Sequence, residues 1–412
     1  MVNKVLPPLP HSFRRLVWSN LAAQSAEQIA LAAAPIIAVL SLNAGPGETG
    51  FLTAVQTLPF LLLSFPFGVL ADRVSRRSVM VAAEAFRVLA LIAVPLLVMV
   101  GALSIPMLAV LGFMAAAGTV AFTVAAPALI PALVPRSGLV SANGQIEIAR
   151  SMAFMAGPAV AGVLVAWAGA SPTFVLAALL SGLAVAFLAG IPEPPRQATA
   201  PKHILRDLKD GAAFVWTHAL LRPVLLTAIV WNISFFALQA IYVPYAVHVL
   251  GLGASGVGVT LAVYGFGLVV GSFFAARIIR LMSFGPSVLL GPIVSVAAAA
   301  VMIASAWTGS AILAGVSFFL FGAGPPVWVV GTTTLRQAVT PNDLLGRIGA
   351  LFLTVNAGSR PIGAALGGLI GAYYGPTICI VAIGFGFVVQ AIIIVASPVR
   401  GLAKLPEMSH PA

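Results

Sequence analysis

Apolar stretches long enough to cross a bilayer recur along the chain, from Leu16 to Ala396. About 20 mostly apolar residues in a helix span the hydrocarbon core, and a chain assembled from such stretches has lipid for its solvent. Only 8% of the residues are charged, where a water-soluble chain carries about a quarter. Mean hydropathy is +1.09, and no aqueous fold has interior enough to hide a composition that is 60% hydrophobic.

Breaks at Gly, Pro and charge clusters place spans near 15–42, 49–71, 78–100, 104–126, 141–168 and 172–191, then 222–249, 253–276, 284–306, 309–331, 346–372 and 375–397. This pattern predicts an all-α polytopic membrane protein of twelve transmembrane helices in two six-helix halves. The expected domains are an N-terminal bundle over 1–191, a linker over 192–220 and a C-terminal bundle over 221–412. The first apolar run, Leu16 to Leu42, is too long for a signal-peptide core and is expected to stay as a span. The linker holds Pro192, Pro194, Pro195 and Pro201. Its later part, Ile204 to Trp216, reads either as an amphipathic helix on the membrane surface or as a solvated connection.

The formal charge of +11 is scattered in short clusters between apolar runs, which argues against a nucleic-acid face and for topology determinants. Lys4, Arg14 and Arg15, then Arg73, Arg76 and Arg77, then Arg136, Arg196, Lys202, Arg277, Arg280, Arg336, Arg400 and Lys404 all fall on alternate loops. The loops between them, near Asn43–Thr49, Gly101–Ser104, Gly169–Ser171, Gly251–Gly253, Trp307–Ser310 and Tyr373–Gly375, hold no Lys or Arg. Both termini are therefore expected on the cytoplasmic side of a bacterial inner membrane. An internal repeat supports two halves: without a gap, Pro135 falls on Pro341, Leu139 on Leu345, Gly157 on Gly363, Gly162 on Gly368 and Gly169 on Gly375. A parallel repeat of this kind places a solute site between the halves near mid-bilayer.

The loop after the second span reads FGVLADRVSRRS, Phe67 to Ser78. Its Gly68, Leu70, Ala71, Asp72, Arg73, Arg76 and Arg77 resemble the signature loop of the major facilitator superfamily, with Ser75 where that family usually has Gly. The resemblance implies that this loop latches the halves in the outward-facing state, with Asp72 as the latch acid. In the fifth span Gly157, Pro158 and Gly162 look like the Gly-Pro packing motif of the superfamily's exporters, although Ala153 and Ala161 replace two usual glycines. The stretches Ala128 to Gln145 and Leu335 to Leu351 are similar to the branch holding the enterobactin exporter and the macrolide and tetracycline efflux pumps. That likeness implies export of a small amphipathic solute, siderophore-like or drug-like, by a monomeric antiporter without a cofactor.

Ionisable residues inside spans are costly and mark function. Glu27, flanked by Gln24 and Gln28, lies midway along the first span and is the candidate for binding and releasing the coupling proton, with Na+ as the other candidate ion. Glu84 and Arg87 lie one turn apart in the third span, and Glu147 and Arg150 repeat that spacing in the fifth, as candidates for ion pairs at a cytoplasmic gate. Arg360, with Asn356 and Ser359 nearby, lies mid-way along the eleventh span and is expected to meet an anionic group of the solute or an acid of the amino half. Many proton antiporters of the superfamily carry an Arg in the fourth span; Ile105 to Ala126 has no charge there, and Arg87 is the residue that could substitute. Asn232, Phe235, Gln239, Tyr242 and Tyr264 suit the lining of a cavity for an amphipathic solute, or equally helix packing.

A membrane-embedded enzyme needs a nucleophile with its base or a metal set. His11, His203, His218, His248 and His410 lack ligand spacing, Cys379 is the one cysteine, and no P-loop is present, so no catalytic set and no metal site is expected. An uptake permease of the same fold is the nearer alternative, and a non-transporting membrane protein the more distant one.

Overall fold

The computed structural model describes residues 10–64, 66–67, 70, 74–135, 138–192, 204–341 and 344–406. Among these the chain is helical without strands: α1 His11–Leu42, α2 Pro46–Leu62, α3 Arg76–Met99, α4 Ile105–Leu133, α5 Leu139–Ala168, α6 Ala170–Ala189, α7 Ile204–Thr217, α8 Leu221–His248, α9 Ala254–Leu281, α10 Phe284–Thr308, α11 Ala311–Ala323, α12 Pro325–Val339 and α13 Leu345–Val395. Ten helical stretches are long and apolar enough to cross a membrane, α11 and α12 counting as one. The 51-residue α13 is two spans meeting at Gly375, whose φ of 80° and ψ of 163° break the helix. The shorter α2 supplies the remaining span, so the architecture is the twelve-helix one the hydropathy implies.

Each of the six loops without Lys or Arg contains one residue of positive φ: Asn43 at 55°, Gly101 at 68°, Gly169 at 80°, Gly251 at 66°, Gly309 at 67° and Gly375 at 80°. A left-handed residue just past a helix lets its N–H return to the last turn, which makes the tightest way back into the bilayer. Asn43 shows this, its N–H bonding to the carbonyl of Ala38. Gly169 and Gly375, superposed by the sequence repeat, share the same φ.

The chain forms two compact units, one of Met1–Asn43, Val55–Ala200 and Gly253–Ala262, the other of Ala44–Ala54, Pro201–Leu252 and Val263–Ala412. In the first, Phe13, Leu16, Met80, Phe122, Leu129 and Leu188 pack as a buried core. In the second, Leu221, Val224, Val288, Leu335, Ile348 and Ile394 do so, joined by Val215 of α7. The linker's later part is thus a helix whose apolar side docks on the second unit, so it is not an isolated surface element.

Glycines set the helix spacing. A Cβ on Gly157 would lie 2.5 Å from the Gln28 Cβ, so α5 crosses α1 there, and one on Gly363 would lie 2.3 Å from the Ile233 carbonyl, so α13 crosses α8. Within the first unit Gly162 meets Gly258, and within the second Gly368 meets Gly50, each with 2.8 Å or less between a Cβ and the opposing Cα. The chain after α13 closes over the start of α10: Phe284 and Gly285 donate their N–H groups to the carbonyls of Ala403 (3.3 Å) and Leu402 (2.7 Å). Those donors have no partner within their own helix.

Substituting Gly363 by Val should cost about 1–3 kcal/mol through overpacking at the α8 backbone. Gly182→Ala, where an added Cβ meets nothing within 4 Å, should leave stability equal or higher. Thermal unfolding in detergent separates the two. A second expectation concerns His218, whose Nδ1 accepts the N–H groups of Leu220 (3.2 Å) and Leu221 (3.4 Å) and so caps α8. Protonation removes that acceptor, and burial holds the imidazole below the ordinary histidine range. A depressed folded value means the contribution is complete above about pH 6.5 and is lost as pH falls through the lower folded value. Unfolding temperatures followed from pH 7.5 downwards should decline more steeply for the wild type than for His218→Asn, whose amide keeps an acceptor at all pH.

Candidate functional site

Inside the first unit, a narrow cleft lies among α1, α2, α3 and α4, with Phe174 of α6 also on its wall. Its wall is mostly apolar, from Leu31, Phe60, Leu91, Val94 and Leu108 among others, and four polar side chains reach it: Glu27, Gln56, Arg87 and Thr119. Gly112 makes room for Gln56, since a Cβ there would lie 2.6 Å from the amide nitrogen.

Behind that wall is a buried polar cluster. Arg87 Nη1 lies 3.0 Å from Glu84 Oε1, and both side chains are almost wholly withdrawn from solvent, at 2% and 0% exposure. Nη1 also donates to the Ala23 carbonyl (3.1 Å) and Nη2 to Thr119 Oγ1 (2.5 Å). Ser181 Oγ donates to Glu84 Oε2 at 2.8 Å. The cluster joins α1, α3, α4 and α6. Gly118 permits it, because its missing side chain lets the Ala83 carbonyl come to 2.7 Å of where a Cβ would sit. The guanidinium of Arg87 thereby lies against the fourth span, which has no charge of its own, and its Nε points to the Ala115 carbonyl at 3.4 Å. The structure brings Glu27 and Arg87 to one cleft, while Glu84 sits behind it as the anchor of Arg87.

The other expected residues divide. Gln24 is half-buried, and Gln28 is buried at the crossing with Gly157. Glu147 and Arg150 form a two-pronged pair, Nε to Oε2 at 2.9 Å and Nη2 to Oε1 at 2.5 Å, and both are exposed. Arg77 donates to the Ile191 carbonyl (3.0 Å), and Arg15 to that of Gly190, so two cations close the C-terminal end of α6. Gly68, Asp72 and Arg73 lie outside the described residues.

In the second unit, Arg360 is half-buried with its guanidinium carbon 5.2 Å from the Phe236 ring, a cation–π partner absent from the two expected ones. Asn232 donates to the Ala228 carbonyl at 2.9 Å; Gln239 and Asn356 are half-buried. Tyr242 is fully buried, its ring 4.5 Å from that of Phe318, which favours the packing alternative for this residue. Phe235 is likewise buried, among Trp231, Tyr264 and Phe321. The aromatic stripe of α8 is therefore mostly packing, for rings gain more from one another in a dry core than from a wet cavity. Thr119, Ser181 and Gln56 were not anticipated. Gln56, an amide in an otherwise apolar span, carried the same kind of signal as Gln24 and Gln28.

Twelve membrane helices, with charged side chains buried inside the first unit, are the kind of scaffold that transporters use. The chain belongs to the major facilitator superfamily, whose family model matches residues 16–364. It is 26% identical over 348 residues to the enterobactin exporter EntS of Escherichia coli, covering 83% of this chain and 80% of that protein. It is 25% identical over 238 residues to the multidrug efflux pump Tap of Mycobacterium tuberculosis, 56% of this chain and 57% of the pump, so the match spans little more than half of that relative. Solved structures share the fold at low identity. The nucleoside transporter NupG superposes with a TM-score of 0.76 at 12% identity over 94% of this chain and 99% of its own. A bacterial homologue of the iron transporter ferroportin in an inward-facing state gives 0.70 at 17%, over 92% and 98%.

Removing either member of the buried pair should be severe: Arg87→Met or Glu84→Leu alone should cost about 3–5 kcal/mol, because each leaves an unpaired charge in a dry interior. The double variant should recover most of that loss. A double-mutant cycle on unfolding in detergent measures the coupling, and additive losses would exclude it.

Proposed function

We propose that the protein is a secondary active exporter that moves a small amphipathic solute out across a bacterial inner membrane by alternating access, driven by proton entry. The single observation that carries this reading is the cleft of the first unit, where an acid and a base, Glu27 and Arg87, share a wall that is otherwise largely apolar. Rings and aliphatic side chains hold the apolar body of a solute, and a few polar groups orient it. Glu27 has the chemistry to take a proton, and Arg87, paired with Glu84 and fixed against the fourth span, lines the same cleft. The named efflux relatives favour outward direction and a siderophore- or drug-like cargo.

In this reading the halves 1–191 and 221–412 move against each other to alternate access, with Asp72 in the latch and both termini cytoplasmic. Arg360, held over Phe236, offers a cation to an anionic part of the solute. Energy comes from the ion gradient.

The test uses everted membrane vesicles from cells making the full chain, energised to set a proton gradient, with a panel of fluorescent amphipathic drugs and a catechol siderophore. Gradient-dependent accumulation inside the vesicles is expected, with release of protons on solute addition. Glu27→Gln should reduce gradient-driven accumulation to background while solute still binds. Full gradient-driven transport by that variant would remove Glu27 from the coupling role, and loss of pre-accumulated solute under the same gradient would identify an uptake permease.

A further inference from the structure

A second cleft lies in the second unit, where α7 turns into α8 and the chain after α13 passes by. It is open to solvent and is lined by Trp216, His218, Arg222, Leu226, Ser397 and Pro398 among others. Its chemistry is one-sided. Arg222 is exposed, and among the described residues no carboxylate lies within ion-pair distance of it. Its guanidinium carbon stands 4.8 Å over the ring of Trp216, itself 56% exposed, so the cation is held in place by an aromatic face and keeps its N–H groups for another partner. His218 uses Nδ1 as an acceptor for the backbone of α8, which leaves Nε2 as the protonated, donating nitrogen. Among the described residues no acidic side chain lines the cleft.

Two donors without a counter-charge, beside a Trp, a Leu and two prolines, are complementary to an anion that brings an apolar tail. Arg matches phosphate geometry with paired N–H groups, and Trp favours the boundary between headgroups and acyl chains. Arg400, in the same short turn as Pro398, and Lys404 are exposed and add positive field at this end of the unit. We infer that this cleft binds the phosphate headgroup of an anionic phospholipid of the leaflet bordering the basic side of the protein, seating the linker helix against the bilayer. The inference is independent of which solute is moved and in which direction.

The experiment uses the purified full-length protein in uncharged detergent, titrated with short-chain phosphatidylglycerol, phosphatidylcholine or inorganic phosphate, with bound lipid counted by native mass spectrometry. The wild type should retain phosphatidylglycerol about five-fold or more over phosphatidylcholine, the factor that one favourable Arg contact near the surface supplies. Arg222→Gln and, as a second variant that leaves the charge in place, Trp216→Ala should each lose most of that preference, whereas Arg222→Lys should keep part of it. Arg280→Gln, which removes an exposed cation elsewhere, should keep all of it. Equal retention of the two lipids, an unchanged preference in folded Arg222→Gln, or the same loss in Arg280→Gln would overturn the site. Displacement of the lipid by inorganic phosphate at matched concentration would overturn the lipid assignment in favour of a free anion.

Discussion

Hydrocarbon has no hydrogen bonds to give, so each backbone N–H and carbonyl that crosses it must find its partner within the chain. That constraint alone turns the apolar runs into helices, and it also decides how they may meet. Lipid tails are as apolar as leucine, and burial from water therefore does not drive one membrane helix onto another; close contact and dispersion must do so. The closest contacts occur where a side chain is missing. Gly363 on the Ile233 backbone, Gly367 on Ala237 and Gly157 on Gln28 are points at which a single methyl group would push helices apart.

These crossings repeat between the halves of the sequence. Gly157 and Gly363, superposed by the sequence repeat, each pack on the first helix of their own half, α1 and α8. Gly162 and Gly368, superposed likewise, each meet a glycine near the start of a second helix, Gly258 of α9 and Gly50 of α2. The compact units reflect this, since each takes in a short stretch, 253–262 or 44–54, from the start of such a helix. A glycine that faces another glycine can slide without a side chain to unlock. One that faces a backbone carbonyl, as Gly363 does, is fixed more firmly.

What the sequence disclosed follows the same physics. Span positions were legible because lipid punishes polar residues over a length of twenty or so, and the turns because a tight return needs a left-handed residue such as Asn43 or Gly309. Glu27 stood out as a carboxylate deep in a span, and it does reach a cleft. The partners of Glu84 and Arg87 were only partly legible. Their mutual contact is local, three residues apart, but Thr119 and Ser181 lie 32 and 97 residues away in sequence and meet them only after four helices pack. Tyr242 shows why the choice between lining and packing stayed open in the sequence: helical spacing gives a residue a face but not what that face meets, and here it meets Phe318.

The buried pair also sets what the cleft can sense. All three nitrogens of Arg87 have partners, on Glu84, Ala23, Thr119 and Ala115, so the guanidinium is held in place by groups from two helices besides a neighbour on its own. A cation fixed this way cannot follow a mobile ligand, and it lies 3.0 Å from Glu84 Oε1. The field at the cleft wall then varies mainly with Glu27, the carboxylate that lines it. Gain or loss of one proton at that residue changes the charge of the wall by a full unit in a low-dielectric setting, where such a change is worth far more than in water. Under the proposed coupling role of Glu27, a fixed pair behind that carboxylate would make proton occupancy and the affinity for a charged solute linked quantities.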